Sequence, residues 1–345
     1  MNRTVKISGA GIAGLTAAIN LAKNNFNVII YEKGEDVGSR FNEDFQGLEN
    51  WSTGEDIIDI LNNINVKANF PYKAFKEVDL INDVMEKYKI VAPSNRIGVY
   101  MVQRGTSSKC LDQCLKNQAL DVGVDIRFNR RAEEREVDIV ATGPKFSSGI
   151  VYGIKGDVDC DDTATIMLDD NSAPKGYVYM IVIGGRMTLA SVIMENFNNA
   201  KNYFDQSLRK IEKIYKINII NAKPFGGRGN FFLLKSYKEN GRLLVGERAG
   251  LQDYLFGFGM RYAFLSGYLA AQSIIQSRDY DFLIKKELFD IMKSSLINRY
   301  FYEKLSNRGY RILINKWAKS PDPIEYLKKW YEFSWYKPLI YPILR

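Results

Sequence analysis

The sequence predicts an α/β fold in which a mainly parallel sheet is interleaved with an antiparallel sheet and followed by C-terminal helices. Strand-like segments occur at 4–8, 27–31, 137–143 and 242–246, and a helical segment follows the first of them. Residues 150–195 alternate as antiparallel strands do, and they interrupt this series. We therefore expect two interleaved domains rather than two domains in tandem.

The first domain opens with the glycine-rich sequence GAGIAG at residues 9–14, between a strand and a helix. Gly9 permits a tight turn, Gly11 lets the backbone approach a pyrophosphate, and Gly14 allows the helix to pack closely on the strand. The helix N-terminus at Ile12 and Ala13 presents unpaired N–H groups to phosphate oxygens. This pattern predicts a Rossmann-like dinucleotide-binding domain.

Glu32 ends the second strand, 18 residues after Gly14, and Lys33 follows it. A carboxylate at this position accepts hydrogen bonds from the ribose hydroxyls and repels a 2′-phosphate. The residues therefore predict FAD or NAD rather than NADP, with Glu32 and Lys33 in the dinucleotide site.

The remaining elements follow from periodicity and from turn residues. Helices are expected at 54–64, 107–120, 199–216 and 259–277, and strands within 74–103 and at 125–129. Gly184-Gly185, between two apolar runs, predicts a tight hairpin turn. Near the C-terminus, Asp322 is expected to be a helix N-cap, with Pro323 at the first helical position and Glu325 completing a capping box.

A second glycine-rich motif runs from VGERAG (245–250) to GFG (257–259) and leads into a long helix. Its expected site residues are Gly246, Glu247, Gly257, Gly259 and Met260. They place a carboxylate and a second helix N-terminus at the end of a strand. Such a helix end stabilises negative charge, as on N1 and O2 of a reduced flavin.

Together the two motifs resemble those of flavoproteins of the p-hydroxybenzoate hydroxylase fold and, more narrowly, of the geranylgeranyl reductase branch. The resemblance spans about residues 1–280 and rests on GSRFNEDFQGLENWS (38–52), VDIVATGP (137–144), PKGYVY (174–179) and VGERAGLQDYLFGFGMRYAFLSGYLAA (245–271). It implies that FAD is the cofactor. It also implies hydride transfer from flavin N5 to a C=C bond of a prenyl or similarly apolar substrate.

The resemblance also assigns roles to single residues. Arg40 and Arg104 become candidates for contacts to the FAD phosphates or adenosine, and Gly143 is placed in the same site. Glu247, where Asp is more usual, is expected at the ribityl chain. Arg104 ends a β run and would suit a bidentate pyrophosphate contact, although both arginines are also compatible with ordinary surface positions.

Tyr177, Tyr179 and Phe256 are the expected substrate contacts. In related branches a P-x-G-Y-x-W motif lines the substrate cavity, and here Tyr179 stands in place of the Trp. Both tyrosines are expected on one face of a strand, because they are two residues apart. There they either wall a pocket over the flavin or belong to an ordinary core.

The chain contains no histidine, which excludes histidine-dependent hydrolases and zinc sites with histidine ligands. Chemistry carried by a cofactor fits this composition, and Tyr177 and Tyr254 are the candidate proton donors. The three cysteines are too few for a disulfide framework and indicate a reducing compartment. No metal site is expected.

Residues 285–345 hold 13 Lys and Arg against 6 Asp and Glu, so they carry a surplus of seven positive charges within a net charge of +8. They also hold Trp317, Trp330 and Trp335. Such a segment is compatible with a helical cap on the core, with an anionic membrane surface or with nucleic acid. Nucleic acid has the least weight and is not an expected partner. Without a transmembrane or signal segment, a cytoplasmic location is expected, with peripheral membrane attachment as its alternative.

The expected domains are a discontinuous FAD-binding domain (1–65, 97–150 and 236–285), a substrate domain (66–96 and 151–235) and a C-terminal helical region (286–345). With only one dinucleotide fingerprint, the electron donor is NAD(P)H bound transiently or a protein such as ferredoxin. One alternative function is an FAD-dependent monooxygenase or hydroxylase of the same fold. The other is a non-catalytic prenyl-binding escort protein.

Overall fold

The computed structural model describes residues 3–94 and 96–344. In chain order its strands are β1 Thr4–Ser8, β2 Asn27–Tyr31, β3 Phe45–Glu49, β4 Tyr72–Phe75, β5 Glu77–Asn82, β6 Lys87–Val91, β7 Val99–Gln103, β8 Asp125–Arg127, β9 Ile139–Val140, β10 Gly149–Asp157, β11 Thr163–Leu168, β12 Tyr177–Ile183, β13 Arg186–Ile193, β14 Ile220–Gly229, β15 Lys238–Glu239 and β16 Arg242–Leu244. Its α-helices are α1 Ile12–Ala22, α2 Ile57–Asn63, α3 Leu111–Asp121, α4 Ala200–Tyr215, α5 Met260–Ile275, α6 Tyr280–Glu287, α7 Phe289–Glu303, α8 Asn307–Ala318, α9 Pro323–Tyr331 and α10 Lys337–Ile340.

The first sheet has the order β15-β16-β9-β1-β2-β8. Its pairings are parallel, apart from that of β15 with β16. Val5 and Ile7 on the central β1 are fully buried, as expected for a strand covered on both faces. All four strand segments that the sequence predicted for one sheet lie in it. The predicted Rossmann-like architecture is confirmed.

The second sheet has the order β14-β10-β13-β12-β11-β5-β6, and its pairings are antiparallel except that of β11 with β5. The predicted hairpin is confirmed, because Ile183 pairs with Arg186 and both turn glycines have positive φ, of 58° and 74°. One face of this sheet packs on α4 through Val178 and Met180. The opposite face is therefore free to wall a cavity.

A three-stranded antiparallel sheet, β3-β7-β4, connects the two larger parts. β4 comes from the segment 66–96 that was expected in the substrate domain. β7 comes from the segment 97–150 that was expected in the FAD-binding domain. The two segments thus share a sheet, and the division into domains stays a prediction.

Helices α7, α8 and α9 pack on the rest of the chain through buried side chains that include Met292, Tyr302, Ile314 and Leu327. Trp317 is 8% exposed, whereas Trp335 is 83% exposed. Most of the C-terminal region is therefore a helical cap, and only its end presents aromatic surface. Within the described residues, no helix has both the length and the apolar composition needed to cross a bilayer.

The N-cap of α9 is confirmed, because the Asp322 carboxylate accepts hydrogen bonds from the backbone N–H groups of Ile324 and Glu325 at 3.0 and 2.9 Å. The predicted capping box is wrong in its second half. Glu325 Oε2 accepts a hydrogen bond from Arg96 Nη1 at 3.2 Å instead of turning back to the N-cap amide. The tertiary ion pair competes with the local bond for the same carboxylate.

Candidate functional site

A cavity of about 1650 Å³ is lined by residues of all three sheets and of the C-terminal helices. Its volume exceeds the range of roughly 300–1,000 Å³ that is usual for a single small ligand, so it has room for two molecules. Of the residues predicted for the site, those that line it are Gly9, Gly11, Ile12, Ala13, Glu32, Lys33, Arg40, Arg104, Gly143, Tyr177, Tyr179, Gly246, Glu247, Phe256, Gly257, Gly259 and Met260. Gly14 and Tyr254 lie outside the lining.

The three glycines of the first motif have different surroundings. Gly9 has φ +98°, and a Cβ atom there would lie 2.3 Å from the Ala141 carbonyl oxygen. A Cβ atom on Gly14 would lie 2.1 Å from the Gly9 carbonyl oxygen, which explains its absence from the cavity wall. A Cβ atom on Gly11 would meet nothing within 4 Å. Gly9 and Gly14 thus serve the fold, whereas Gly11 leaves space at the first turn of α1.

Glu32 is held at the end of β2 by the backbone. Its Oε2 accepts a hydrogen bond from the Ala10 N–H at 2.8 Å, and its Oε1 accepts one from the Gly34 N–H at 2.8 Å. The two bonds fix the direction of the carboxylate. Each oxygen keeps a second lone pair for a further donor.

A second helix N-terminus reaches the same cavity. A 3₁₀ turn, Gly246–Ala249, follows β16, and α5 begins at Met260. A Cβ atom on Gly246 would lie 3.1 Å from Ala13 Cβ, and one on Gly267 would lie 2.2 Å from the Ala13 carbonyl oxygen. The absence of side chains on these glycines lets α1 and α5 approach closely. The positive ends of both helices then face one cavity.

The loop between the 3₁₀ turn and α5 is organised by Asp253, which is 1% exposed. Its carboxylate accepts hydrogen bonds from Ser295 Oγ and from the Leu255 and Phe256 N–H groups. Burial raises the pKa of Asp253 to about 6, although these donors oppose the shift. Ser295 lies on α7, so the C-terminal helices help to hold the cavity loop.

Arg40 and Arg104 take different positions. Arg40 Nη1 donates a hydrogen bond to Glu247 Oε2 at 2.8 Å, and a Cβ atom on Gly143 would lie 3.3 Å from the same nitrogen. Arg104 is buried, and its Nε and Nη2 donate to the two oxygens of Asp112 at 2.9 and 2.8 Å. Asp112 therefore occupies the two-donor edge of Arg104, which contradicts the expected bidentate contact to a pyrophosphate.

The apolar part of the cavity is walled by aromatic and aliphatic side chains. From the sheets and the loop before α5 these are Trp51, Phe75, Val99, Met101, Tyr177, Tyr179, Ile181, Val192, Phe256 and Phe258. Tyr177 and Tyr179 share one face, as expected, with ring centroids 6.3 Å apart. Both therefore contribute to a pocket wall rather than to a closed core.

Trp317, Ile324 and Leu327 of the C-terminal helices also line the cavity, and sequence reasoning missed them. Their only local signal was the spacing of apolar residues in α8 and α9, which does not reveal a partner. Gly226 and Gly227 on β14 line it as well. The glycine pair after Pro224-Phe225 was a signal that could have drawn attention to this strand.

The two candidate proton donors differ in access to the cavity. Tyr177 Oη donates a hydrogen bond to the Phe256 carbonyl oxygen at 2.6 Å, and burial raises its pKa far above the ordinary value. Tyr254 is fully buried against Phe231 and does not line the cavity. Its hydroxyl has no hydrogen-bond partner among the described residues. The expectation for Tyr254 is therefore wrong, because its strand-like neighbours in sequence did not reveal which way it points.

Comparison with known proteins agrees with this architecture. Residues 7–49 match the family described as NAD(P)-binding Rossmann-like domain. The digeranylgeranylglycerophospholipid reductase of Thermoplasma acidophilum is 27% identical over 325 residues, covering 80% of this chain and 79% of the relative. That of Methanococcus vannielii is 22% identical over 323 residues, covering 80% and 78%.

Solved structures share the whole architecture. A geranylgeranyl bacteriochlorophyll reductase-like protein from Thermoplasma acidophilum has a TM-score of 0.73 at 20% identity, covering 99% of this chain and 96% of that one. A flavin-dependent brominase has a TM-score of 0.65 at 17% identity, covering 99% and 98%. The fold and the two-helix cavity thus define a chain with the architecture of FAD-dependent oxidoreductases. Within this class the chain is geranylgeranyl reductase-like.

Proposed function

We propose that the protein is an FAD-dependent reductase that hydrogenates a C=C bond in a prenyl chain or a similarly apolar substrate. The observation that carries this proposal is the composition of the cavity. One end holds two helix N-termini and Glu32, and the other end is walled by aromatic side chains from the sheets and the C-terminal helices. The likeness to reductases named for digeranylgeranylglycerophospholipids supports the same substrate class.

The polar end fits FAD. The open space at Gly11 admits a pyrophosphate to the N–H groups of α1, and the free lone pairs of Glu32 suit ribose hydroxyls. The N-terminus of α5 lies where the flavin ring would follow, with Gly257 and Gly259 keeping the approach free of side chains. We place Arg40, Glu247 and Gly143 beside the chain that joins the phosphates to the ring.

When bound and reduced, FAD supplies the hydride that the double bond accepts. The residues of the protein orient the partners and exclude water. The Tyr177 hydroxyl fixes the Phe256 backbone, and the Asp253 carboxylate fixes the loop that leads into α5. The positive end of α5 then stabilises negative charge that develops on the flavin.

The electron donor is proposed to be NAD(P)H bound transiently or a ferredoxin-type protein. We also propose that a cytoplasmic protein of this kind meets an anionic membrane surface through its C-terminal end. There Trp335, Leu339 and Ile343 are 83%, 69% and 81% exposed. They follow one another at four-residue intervals within a basic region, as expected of an interfacial segment.

The test is a visible absorption spectrum of the protein loaded with FAD, followed by anaerobic reduction with dithionite and addition of a geranylgeranyl lipid. Flavin absorbance that bleaches and then returns without oxygen is the expected result. Return only in the presence of oxygen would instead assign the monooxygenase function. Failure to bind FAD at all would assign the escort function and contradict the proposed cofactor residues together.

A further inference from the structure

Tyr179 places a polar atom in the apolar wall of the cavity. The residue is partly buried on β12 and lines the cavity. Within the part of the chain that the structure describes, its hydroxyl makes no hydrogen bond to protein, whereas the hydroxyl of Tyr177 on the same face is satisfied by the Phe256 carbonyl oxygen. The neighbours of Tyr179 on this wall, Ile181 and Val192, offer no polar side chain.

The hydroxyl is available as a donor. Burial, Asp44 and Tyr177 together raise the pKa of Tyr179 well above its ordinary value, so the phenol keeps its proton. The Asp44 carboxylate is already engaged, because it accepts hydrogen bonds from the Asn42 N–H at 3.0 Å and from Gln46 Nε2 at 2.7 Å. A molecule that fills the apolar cavity displaces water from the hydroxyl of Tyr179. It then has to supply a partner or leave this group unsatisfied.

We infer that Tyr179 donates a hydrogen bond to an oxygen atom of the substrate, and that the substrate is an oxygen-bearing isoprenoid rather than a plain hydrocarbon chain. This inference rests on the proposed function and narrows its substrate class. A Trp, which related branches carry at this position, would present an indole N–H with a different reach. The substitution of Tyr thus sets the specificity of this chain.

The test compares two probes by calorimetric titration of the protein loaded with oxidised FAD. One is geraniol, and the other is the hydrocarbon that differs from it only by lacking the hydroxyl. The ratio of their affinities removes the contribution of the shared chain. In Tyr179→Phe the preference for the alcohol is expected to fall about three- to tenfold relative to the wild type, as the loss of one hydrogen bond between neutral groups predicts.

Tyr254→Phe is the matched control, because Tyr254 also carries an unpaired hydroxyl but does not line the cavity. Its affinity ratio is expected to equal that of the wild type. An unchanged ratio in Tyr179→Phe would overturn the inference while leaving the proposed function intact. Binding of neither probe to the wild type would contradict both, and the flavin reoxidation experiment would then show independently that the apolar substrate class is wrong.

Discussion

The Tyr177 hydroxyl donates a hydrogen bond of 2.6 Å to the carbonyl oxygen of Phe256, and the two rings meet edge to face with centroids 5.9 Å apart. Tyr177 belongs to the second sheet, whereas Phe256 belongs to the loop that precedes α5. One side chain therefore sets the distance between the proposed substrate wall and the proposed flavin end of the cavity.

Tyr177→Phe should consequently destabilise the protein. It leaves the buried Phe256 carbonyl without its donor, which should lower the free energy of unfolding by about 1–3 kcal/mol in urea titrations. Tyr254→Phe removes a hydroxyl that has no partner, so its stability should be unchanged or slightly higher. Equal losses in both variants would show that the Tyr177 bond contributes nothing specific.

Two glycines of the first motif should respond differently to alanine. Gly11→Ala meets open space, so the melting temperature should stay the same while FAD affinity falls roughly tenfold or more, measured by flavin fluorescence. Gly9→Ala places a Cβ atom 2.3 Å from the Ala141 carbonyl oxygen at a φ of +98°, and should cost about 1–3 kcal/mol of stability. A Gly11→Ala variant that unfolds as readily as Gly9→Ala would contradict this division.

The parts of the site that could be predicted from the sequence are those encoded locally. A strand, a glycine turn and a helix form one continuous signal, so Gly11 and Glu32 were found without knowledge of the tertiary structure. The direction of a single side chain within a loop is not encoded in this way, which explains the error at Tyr254. Trp317 and Ile324 were missed because they meet the cavity across more than 200 residues of chain from β7. Only the packing of α8 and α9 brings them there.

The two arginines once grouped as cofactor contacts should separate in experiment. Arg104→Ala leaves Asp112, which is buried, without its partner and should destabilise the protein by about 3–5 kcal/mol. Arg40→Ala removes a partly exposed pair with Glu247, so stability should change by less than about 1 kcal/mol. FAD affinity should fall in Arg40→Ala. A stable Arg104→Ala protein would show that the Asp112 pair does not support the fold.

Asp253 should make stability depend on pH in an unusual direction. Its folded pKa of about 6 lies above the ordinary value of 3.8, so the folded protein binds this proton more tightly than the unfolded chain. The resulting stabilisation is complete below about pH 4 and is lost as the pH rises to about 6. Asp253→Asn carries no titrating group there. The stability of the wild type relative to Asp253→Asn should therefore fall by roughly 3 kcal/mol between pH 4 and pH 7. A difference that is constant with pH would contradict the buried, protonatable carboxylate.

The membrane proposal needs a test that leaves the fold intact. Removal of residues 286–345 is unsuitable, because α7, α8 and α9 bury side chains such as Tyr302 and Ile314 in the core. Glutamate at Trp335, Leu339 and Ile343 changes exposed positions instead. The triple variant should keep its melting temperature and lose sedimentation with phosphatidylglycerol vesicles, because it removes apolar contact and adds negative charge against an anionic surface.

Ile220→Glu is the control for this prediction. Ile220 is 55% exposed on β14, at the opposite edge of the second sheet from β6. It carries the same change of charge per site away from α8, which packs on β5 and β6. If the control and the triple variant both bind anionic vesicles as the wild type does, the C-terminal end is not the contact surface. Loss of binding in the triple variant alone, together with binding by the wild type that weakens at high salt, would place the apolar cavity beside a bilayer from which a prenyl lipid can enter.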